Sequence, residues 1–241
     1  MVFLLDDQNP LWIPSPEEAD EKGIVAVSES LGVERLISAY RTGLFPWMKM
    51  EQEPNFWCWF SPDPRMVLHP KNFKTSRSLK KALVHEQFEI RIDQNFRQTM
   101  EACARSPRPN QESTWIEKEM IDDYEKLHKM GIAHSLEAFI GNQMVGGLYG
   151  LAFGKIFFGE SMYHTVPEAS KVCLAHLIKI SKKFGIAMID CQAHTNHLEK
   201  MGAAEIPRGE FTQKLGILLN ESISVVPWDK LSESSNLARL L

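Results

Sequence analysis

The chain has 241 residues, 44% of them apolar and 24% charged, with a formal net charge of −4. That composition fits a soluble globular protein of one large domain, or of a small domain beside a larger one, and the mild acidity excludes a global electrostatic attraction to nucleic acid. The four cysteines, Cys58, Cys103, Cys173 and Cys191, form no CxxC pair, and the opening MVFLLDDQNP has neither the basic start nor the long apolar run of a secretory signal; with no stretch of roughly 18 uncharged apolar residues, the expectation is a cytoplasmic protein with reduced thiols and no membrane span.

Residues 1 to about 60 are rich in proline, tryptophan and phenylalanine, with a helix start at Ser15-Pro16-Glu17-Glu18 that places proline at the first helical position. Leu31, Leu36, Ile37 and Tyr40 give a rough 3.6-residue period, which predicts a helix over 30–40. Gly43-Leu44-Phe45-Pro46-Trp47 and Trp57-Cys58-Trp59-Phe60 follow. The expected organisation is a small N-terminal domain over 1–62, a larger domain over 63–230 and a loosely held tail over 231–241. Between positions 65 and 85 there are six basic residues and no acid: Arg65, Lys71, Lys74, Arg77, Lys80 and Lys81. Such an island is either a solvated helix face or a patch that follows a nucleic-acid backbone.

A short strand is expected over 89–92, then a helix over 93–104 that Asp93 could cap. A loop at Ser106-Pro107-Arg108-Pro109-Asn110 leads to a helix over 116–130 closed by Gly131. Three strands over 133–140, 143–153 and 155–162, separated by Gly141-Asn142 and Gly154, predict an antiparallel meander. An amphipathic helix is expected over 168–184, with Glu168 in its first turn, Lys182 and Lys183 in its last and Gly185 as its stop. A buried strand over 186–190 and a helix over 195–201 complete the pattern.

In a strand, residues i and i+2 share a face. Glu160 therefore points with Met162, and Asp190 with Gln192, where an acid and an amide end an apolar strand. Polar side chains delivered at the end of a core strand mark a crevice; the plainer alternatives are a turn former at Asp190 and an ordinary strand-end acid at Glu160. Ser170, Leu174, Leu177 and Ile178 share a helix face that could cover the meander. Cys191, His194 and His197 are spaced three apart, but no second cluster supplies the remaining ligands of a zinc site. There is no G-x-x-x-x-G-K-[ST], no G-x-S-x-G at Gly159-Glu160-Ser161-Met162-Tyr163 and no dinucleotide fingerprint around Gly146-Gly147. From the residues alone the chain reads as an α/β enzyme or binding protein with a basic arm.

A set of motifs runs along the chain: Gly43-Leu44-Phe45-Pro46-Trp47, Trp59-Phe60-Ser61-Pro62-Asp63-Pro64-Arg65, Thr114-Trp115-Ile116, Tyr124-Glu125-Lys126-Leu127-His128 and Gly131-Ile132-Ala133-His134-Ser135. It continues through Val145-Gly146-Gly147-Leu148-Tyr149-Gly150, Phe158-Gly159-Glu160-Ser161-Met162, Ala169-Ser170-Lys171, Ile189-Asp190-Cys191-Gln192, His197-Leu198, Met201-Gly202-Ala203 and Glu205-Ile206-Pro207-Arg208. In combination these motifs resemble one family, the leucyl/phenylalanyl-tRNA–protein transferases, in register from about residue 10 to 215. The resemblance implies an α/β (α+β) fold, with a small N-terminal domain and a GNAT-like acyltransferase domain built on a mixed, largely antiparallel sheet. The implied activity is transfer of leucine or phenylalanine, less readily methionine, from aminoacyl-tRNA to the N-terminal Arg or Lys of a protein, marking it for degradation by the N-end rule. The aminoacyl ester is already activated, so neither ATP, metal nor cofactor is expected, and the partners are aminoacyl-tRNA and acceptor polypeptides, with a monomer as the expected state.

By the same resemblance, Asp190 and Gln192 match positions held to relay the proton of the attacking amine; Gln192 cannot be a base, so Asp190 is the only acceptor of the two, the alternative being that the tRNA's own terminal groups take the proton and Asp190 orients the amine. Glu160 would pair with a cation of the Arg- or Lys-started acceptor. Leu148, Met162, Leu174 and Leu177 match the aminoacyl side-chain pocket, and Trp47 and Trp115 match aromatic positions near the terminal adenosine. Arg65, Lys71, Lys74, Arg77, Lys80 and Lys81 are expected on the tRNA backbone. The chain departs from the family at Leu148 and Leu177, where Met and Phe are frequent, and over 27–33, where a Gly-Gly-Asp-Leu-Ser-like stretch is common. The rival readings are a GNAT-type acetyl-CoA-dependent acyltransferase, which the glycine-free stretch from Thr165 to Ser170 disfavours, and a non-enzymatic RNA-binding module.

Overall fold

A computed structural model of the chain describes residues 2–50, 53, 55–85, 87–107, 114–221 and 226–232. Most of the proline-rich loop expected near 108 and most of the expected tail lie outside the described residues.

The first 60 residues build a four-stranded sheet from β1 (Phe3–Leu4), β2 (Ile24–Ser28), β3 (Phe45–Lys49) and β4 (Trp57–Phe60), in the order β1-β2-β4-β3. Helix α1 (Val33–Thr42) crosses between β2 and β3. It begins later than the predicted start because Gly32 is its N-cap, and it ends at Gly43, whose φ of 101° gives the left-handed stop that glycine supplies without strain. The predicted start at Ser15 is a single 3-10 turn over Pro16–Glu18. Trp57 and Trp59 are fully buried and satisfy their indole N–H groups by donating to Glu119 Oε2 and Ser28 Oγ, both at 2.8 Å.

Seven strands form the second sheet: β5 (Arg65–Leu68), β6 (Glu89–Ile92), β7 (Ala133–Ile140), β8 (Gln143–Phe153), β9 (Ile156–His164), β10 (Met188–Gln192) and β11 (Ala204–Ile206), in the order β11-β5-β10-β9-β8-β7-β6. Only β9 and β10 run parallel in it. The helices are α2 (Arg77–Val84), α3 (Phe96–Arg105), α4 (Lys118–Lys129), α5 (Ala169–Phe184), α6 (Asn196–Lys200), α7 (Arg208–Asn220) and α8 (Trp228–Ser232). Helix α5 covers one face, packing on β7, β8 and β9, while α3 packs on the same strands from the other side. Gly146 permits the α5 contact: a Cβ there would lie 2.6 Å from the Ala169 Cβ and 3.1 Å from the Ser170 nitrogen. The mixed α/β arrangement, an open sheet flanked by helices behind a small N-terminal region, is the expected one.

Asp93 is not a helix cap. It sits at φ 57°, accepts the Ser135 N–H at 2.7 Å and contacts His134 Nδ1 at 2.7 Å, and α3 starts after Asn95 instead. The four cysteines are free thiols. Among the described residues no helix is long and apolar enough to cross a membrane.

Candidate active site

Backbone pairing between β9 and β10 stops at Phe158↔Asp190, although β9 runs on to His164 and β10 to Gln192. The strands part there, and a cavity of about 350 Å³ opens beside the gap. Leu148, Met162, Leu174 and Leu177 line it on the α5 side, while Trp47, Trp115 and Tyr149 line it from the opposite cluster of the core. Its surface is overwhelmingly apolar, with a few convergent polar groups, among them Glu160 and Gln192.

Three irregularities in strand pairing fall at this cavity. Pro46↔Trp59 is followed by Met48↔Cys58, Tyr149↔Ser161 by Gly150↔Gly159, and Asp190↔Val67 by Gln192↔Met66. The inserted residues are Trp47, Glu160 and Cys191, and all three line the cavity. A bulge bends a strand and re-aims a side chain that regular alternation would send elsewhere.

Glu160 is almost wholly buried, at 8% exposure. Its Oε1 accepts from the Tyr40 hydroxyl at 2.6 Å and from Gln192 Nε2 at 2.7 Å, and its Oε2 from the Tyr124 hydroxyl at 3.3 Å. The two tyrosine hydroxyls are themselves 2.5 Å apart. Burial pushes the carboxyl up to about 8, against the pull of the Tyr40 hydrogen bond; the Asp190 charge adds to the rise. Both tyrosines are held well above their usual value by burial and by Glu160.

Asp190 does not share the cavity face with Gln192. The bulge at Cys191 breaks the i, i+2 rule, and the Asp190 carboxylate turns instead to Arg65, which donates Nε to Oδ1 at 2.9 Å and Nη2 to Oδ2 at 2.6 Å. Both side chains are fully buried. The Arg65 guanidinium also donates Nη1 to the Gly43 carbonyl at 3.2 Å and lies between the rings of Phe45 (4.7 Å) and Phe211 (4.4 Å). Gln192 holds a φ of 64°, a conformation that costs a side-chain-bearing residue about 1–3 kcal/mol and persists where surroundings enforce it. Here the enforcing contact is its own N–H, donated to Asp190 Oδ1 at 2.9 Å.

The family model described as leucyl/phenylalanyl-tRNA protein transferase matches residues 67–216, and the model of that family's N-terminal domain matches 29–63. A leucyl/phenylalanyl-tRNA–protein transferase of Nitrosospira multiformis is 50% identical over 82% of this chain and 84% of its own length. One from Nitrosomonas europaea is 48% identical over 90% of this chain and 91% of its own. The chain belongs to this family. It is therefore a transferase. Among solved structures, a GCN5-related N-acetyltransferase-like protein of Streptococcus suis overlaps 75% of this chain and 68% of its own, at 14% identity and a TM-score of 0.35, a likeness too remote to specify a site.

For this transferase, eight of the site residues read from the sequence line one cavity: Glu160, Gln192, Leu148, Met162, Leu174, Leu177, Trp47 and Trp115. Two expectations are corrected. Asp190 does not line the cavity, and Arg65 holds both its oxygens in the interior. Arg65 cannot lie on a tRNA backbone, being fully buried. Lys71, Lys74, Arg77, Lys80 and Lys81 are exposed around and on α2, and none of them lines the cavity. Of the cysteine and histidines spaced three apart, Cys191 and His197 line the cavity, while His194 pairs with Glu199. Sequence reasoning missed Tyr40 as a site residue; its one signal was a core-facing helical period. Tyr124 stood in a motif of the resemblance without a role. Tyr149, Cys191 and His197 likewise stood in such motifs without a role at the cavity.

Proposed function

We propose that this enzyme transfers leucine or phenylalanine, and less readily methionine, from aminoacyl-tRNA to the N-terminal Arg or Lys of acceptor proteins, creating a degradation signal. The observation that carries the reading is the junction of an apolar chamber with a buried, polar-ringed carboxyl group at the point where β9 and β10 part. Names of relatives about 50% identical support the donor and the acceptor class. The apolar chamber takes the donor's side chain, and Trp47 and Trp115 stack on the terminal adenosine, an interaction worth roughly 1–3 kcal/mol per base.

The chemistry is aminolysis of the ester. The acceptor's α-ammonium, with a reference pKa near 7.7–8.0, passes a proton to Glu160 once its own charge has drawn that carboxyl into the ionised form. Burial raises the Glu160 carboxyl toward the amine's range, so it accepts the proton more readily than an ordinary carboxylate. The neutral amine attacks the ester carbonyl carbon, the C–N bond forms, and the C–O bond to the terminal ribose breaks as the second proton of the attacking nitrogen passes to the ribose oxygen, so that the tRNA leaves as its hydroxyl and the product is an amide. Gln192 holds Glu160 in place through its amide. The incoming cation also favours the ionised form of Glu160. On α2, Arg77, Lys80 and Lys81 stand opposite the buried Leu79 and Ala82 and, with Lys71 and Lys74, contact the tRNA backbone rather than its bases.

The test is incubation with Phe-tRNA and an Arg-started peptide, without ATP or CoA, followed by mass measurement. A mass gain of one phenylalanine residue supports the reading, and no gain with active Phe-tRNA sinks it. An acetyl-CoA enzyme is disfavoured further by Glu168, whose carboxylate stands at the N-terminus of α5 beside Lys171 at 2.7 Å, where it would repel a pyrophosphate.

A further inference from the structure

Arg65 lies outside the cavity, yet it touches the segments that carry both walls. Its Nε and Nη2 grip the Asp190 carboxylate on β10, and its Nη1 reaches the Gly43 carbonyl at the entrance to β3. The Phe45 ring under its guanidinium belongs to the strand that carries Trp47 two residues on. Asp190 Oδ1 accepts from Arg65 and from the Gln192 N–H at once, both at 2.9 Å. Gln192 then reaches Glu160 Oε1 at 2.7 Å. The contacts therefore form one series: guanidinium, carboxylate, left-handed backbone turn, amide, cavity carboxyl.

We infer that Arg65 is a positioning residue for the transfer reaction: through Asp190 it fixes the left-handed turn at Gln192 that aims the Gln192 amide at Glu160. The inference rests on the proposed role of Gln192 and Glu160 at the acceptor amine. A buried ion pair is a weak device for stability alone, because an apolar pair of similar volume serves as well. A planar fork of fixed donors is a good device for orienting a carboxylate, and lysine cannot reproduce it. Asp190 likewise acts through Gln192 and touches no substrate.

Four variants test this: Arg65→Lys, Gln192→Ala, the two combined, and the apolar pair R65M/D190L. For each, kcat and KM for an Arg-started peptide are measured at saturating Phe-tRNA, alongside Tm. Arg65→Lys is expected to lower kcat about a hundredfold, the scale of a small misplacement at a reacting centre. The combined variant should be no slower than Gln192→Ala alone, because both changes remove one unit. R65M/D190L, which replaces the ion pair with apolar side chains, should lose about a hundredfold in kcat when assayed well below its own Tm, a result that a merely structural role would not produce. The apolar pair also decides between the two roles should Arg65→Lys not fold. Wild-type kcat in Arg65→Lys or in R65M/D190L overturns the inference, as do losses that multiply in the combined variant. Wild-type kcat in Gln192→Ala overturns instead the reading of Gln192 on which the inference stands.

Discussion

Glu160 pays for its position: ringed by two tyrosines and an amide and shut from water, its carboxyl is raised to about 8 from an ordinary 4.5. Glu137, buried on β7 with Ser135 and the Asn95 N–H as partners, is raised to about 7, burial again the first cause. Between about 4.5 and 8 the folded chain keeps protons that the unfolded chain has released, so stability contributed by these groups is full below pH 4.5 and is lost as pH rises through 7 and 8. Glu160→Gln removes one of the two groups, so the fall in Tm between pH 6 and 9 should be shallower than in the wild type; an equally steep fall would show that Glu160 is ionised at little cost. The same variant should lower transfer to Arg- and Lys-started peptides by at least tenfold while leaving aminoacyl-tRNA affinity unchanged, as checked by filter binding beside the peptide assay. Equal loss of both would place Glu160 on the donor side. At this scale the sequence was half legible. An acid ending an apolar strand marked Glu160, but the burial of Arg65 had no signal, since a basic residue opening a basic island reads as surface.

Strand and helix geometry decides what the cavity admits. The meander β7–β8–β9 and helix α5 were readable because their alternation, their turn glycines and the Gly185 stop agree with one another. The β10 bulge was not, because an inserted residue leaves no mark in a two-residue period, and so Asp190 and Gln192 were expected on one face. β5 was hidden for a different reason: Met66, Val67 and Leu68 are all buried but sit inside the basic island. Helix α5 approaches β8 closely at Gly146, and Gly146→Ala would set a methyl 2.6 Å from the Ala169 Cβ. Neither neighbour is the end of a flexible chain, so the helix must shift, at about 1–3 kcal/mol, and Tm should drop by several degrees. Because α5 also supplies Leu174 and Leu177, transfer should weaken with it; an unchanged Tm would mean the helix moves freely. Leu177→Phe narrows the chamber from the same helix. The ratio of Phe to Leu transfer should fall about tenfold, within the modest reach of an apolar pocket, as read by competition between the two charged tRNAs.

Charge is distributed unevenly over the molecule as a whole. The net charge is −4, yet no acid occurs between positions 65 and 85, and the structure removes one of the six cations there, Arg65, into the interior. The remaining five are exposed on one stretch around α2, which packs against α5 behind the chamber wall. An overall acidic protein gains little from bulk attraction to tRNA, so affinity must come from such a local patch. Each phosphate contact contributes about 0.7–0.9 to the slope of log affinity against log salt. Reversing Arg77, Lys80 and Lys81 together to glutamate should therefore flatten that slope by about 2 to 3. The Glu160 carboxyl and the chamber are untouched by these changes, so kcat at saturating aminoacyl-tRNA should stay near the wild-type value while KM for tRNA rises. Titration of fluorescent Phe-tRNA across a range of salt concentrations, with the peptide assay at each end, separates the two. A slope equal to that of the wild type would remove the α2 patch from the tRNA path and leave the donor to reach Trp47 and Trp115 over another surface.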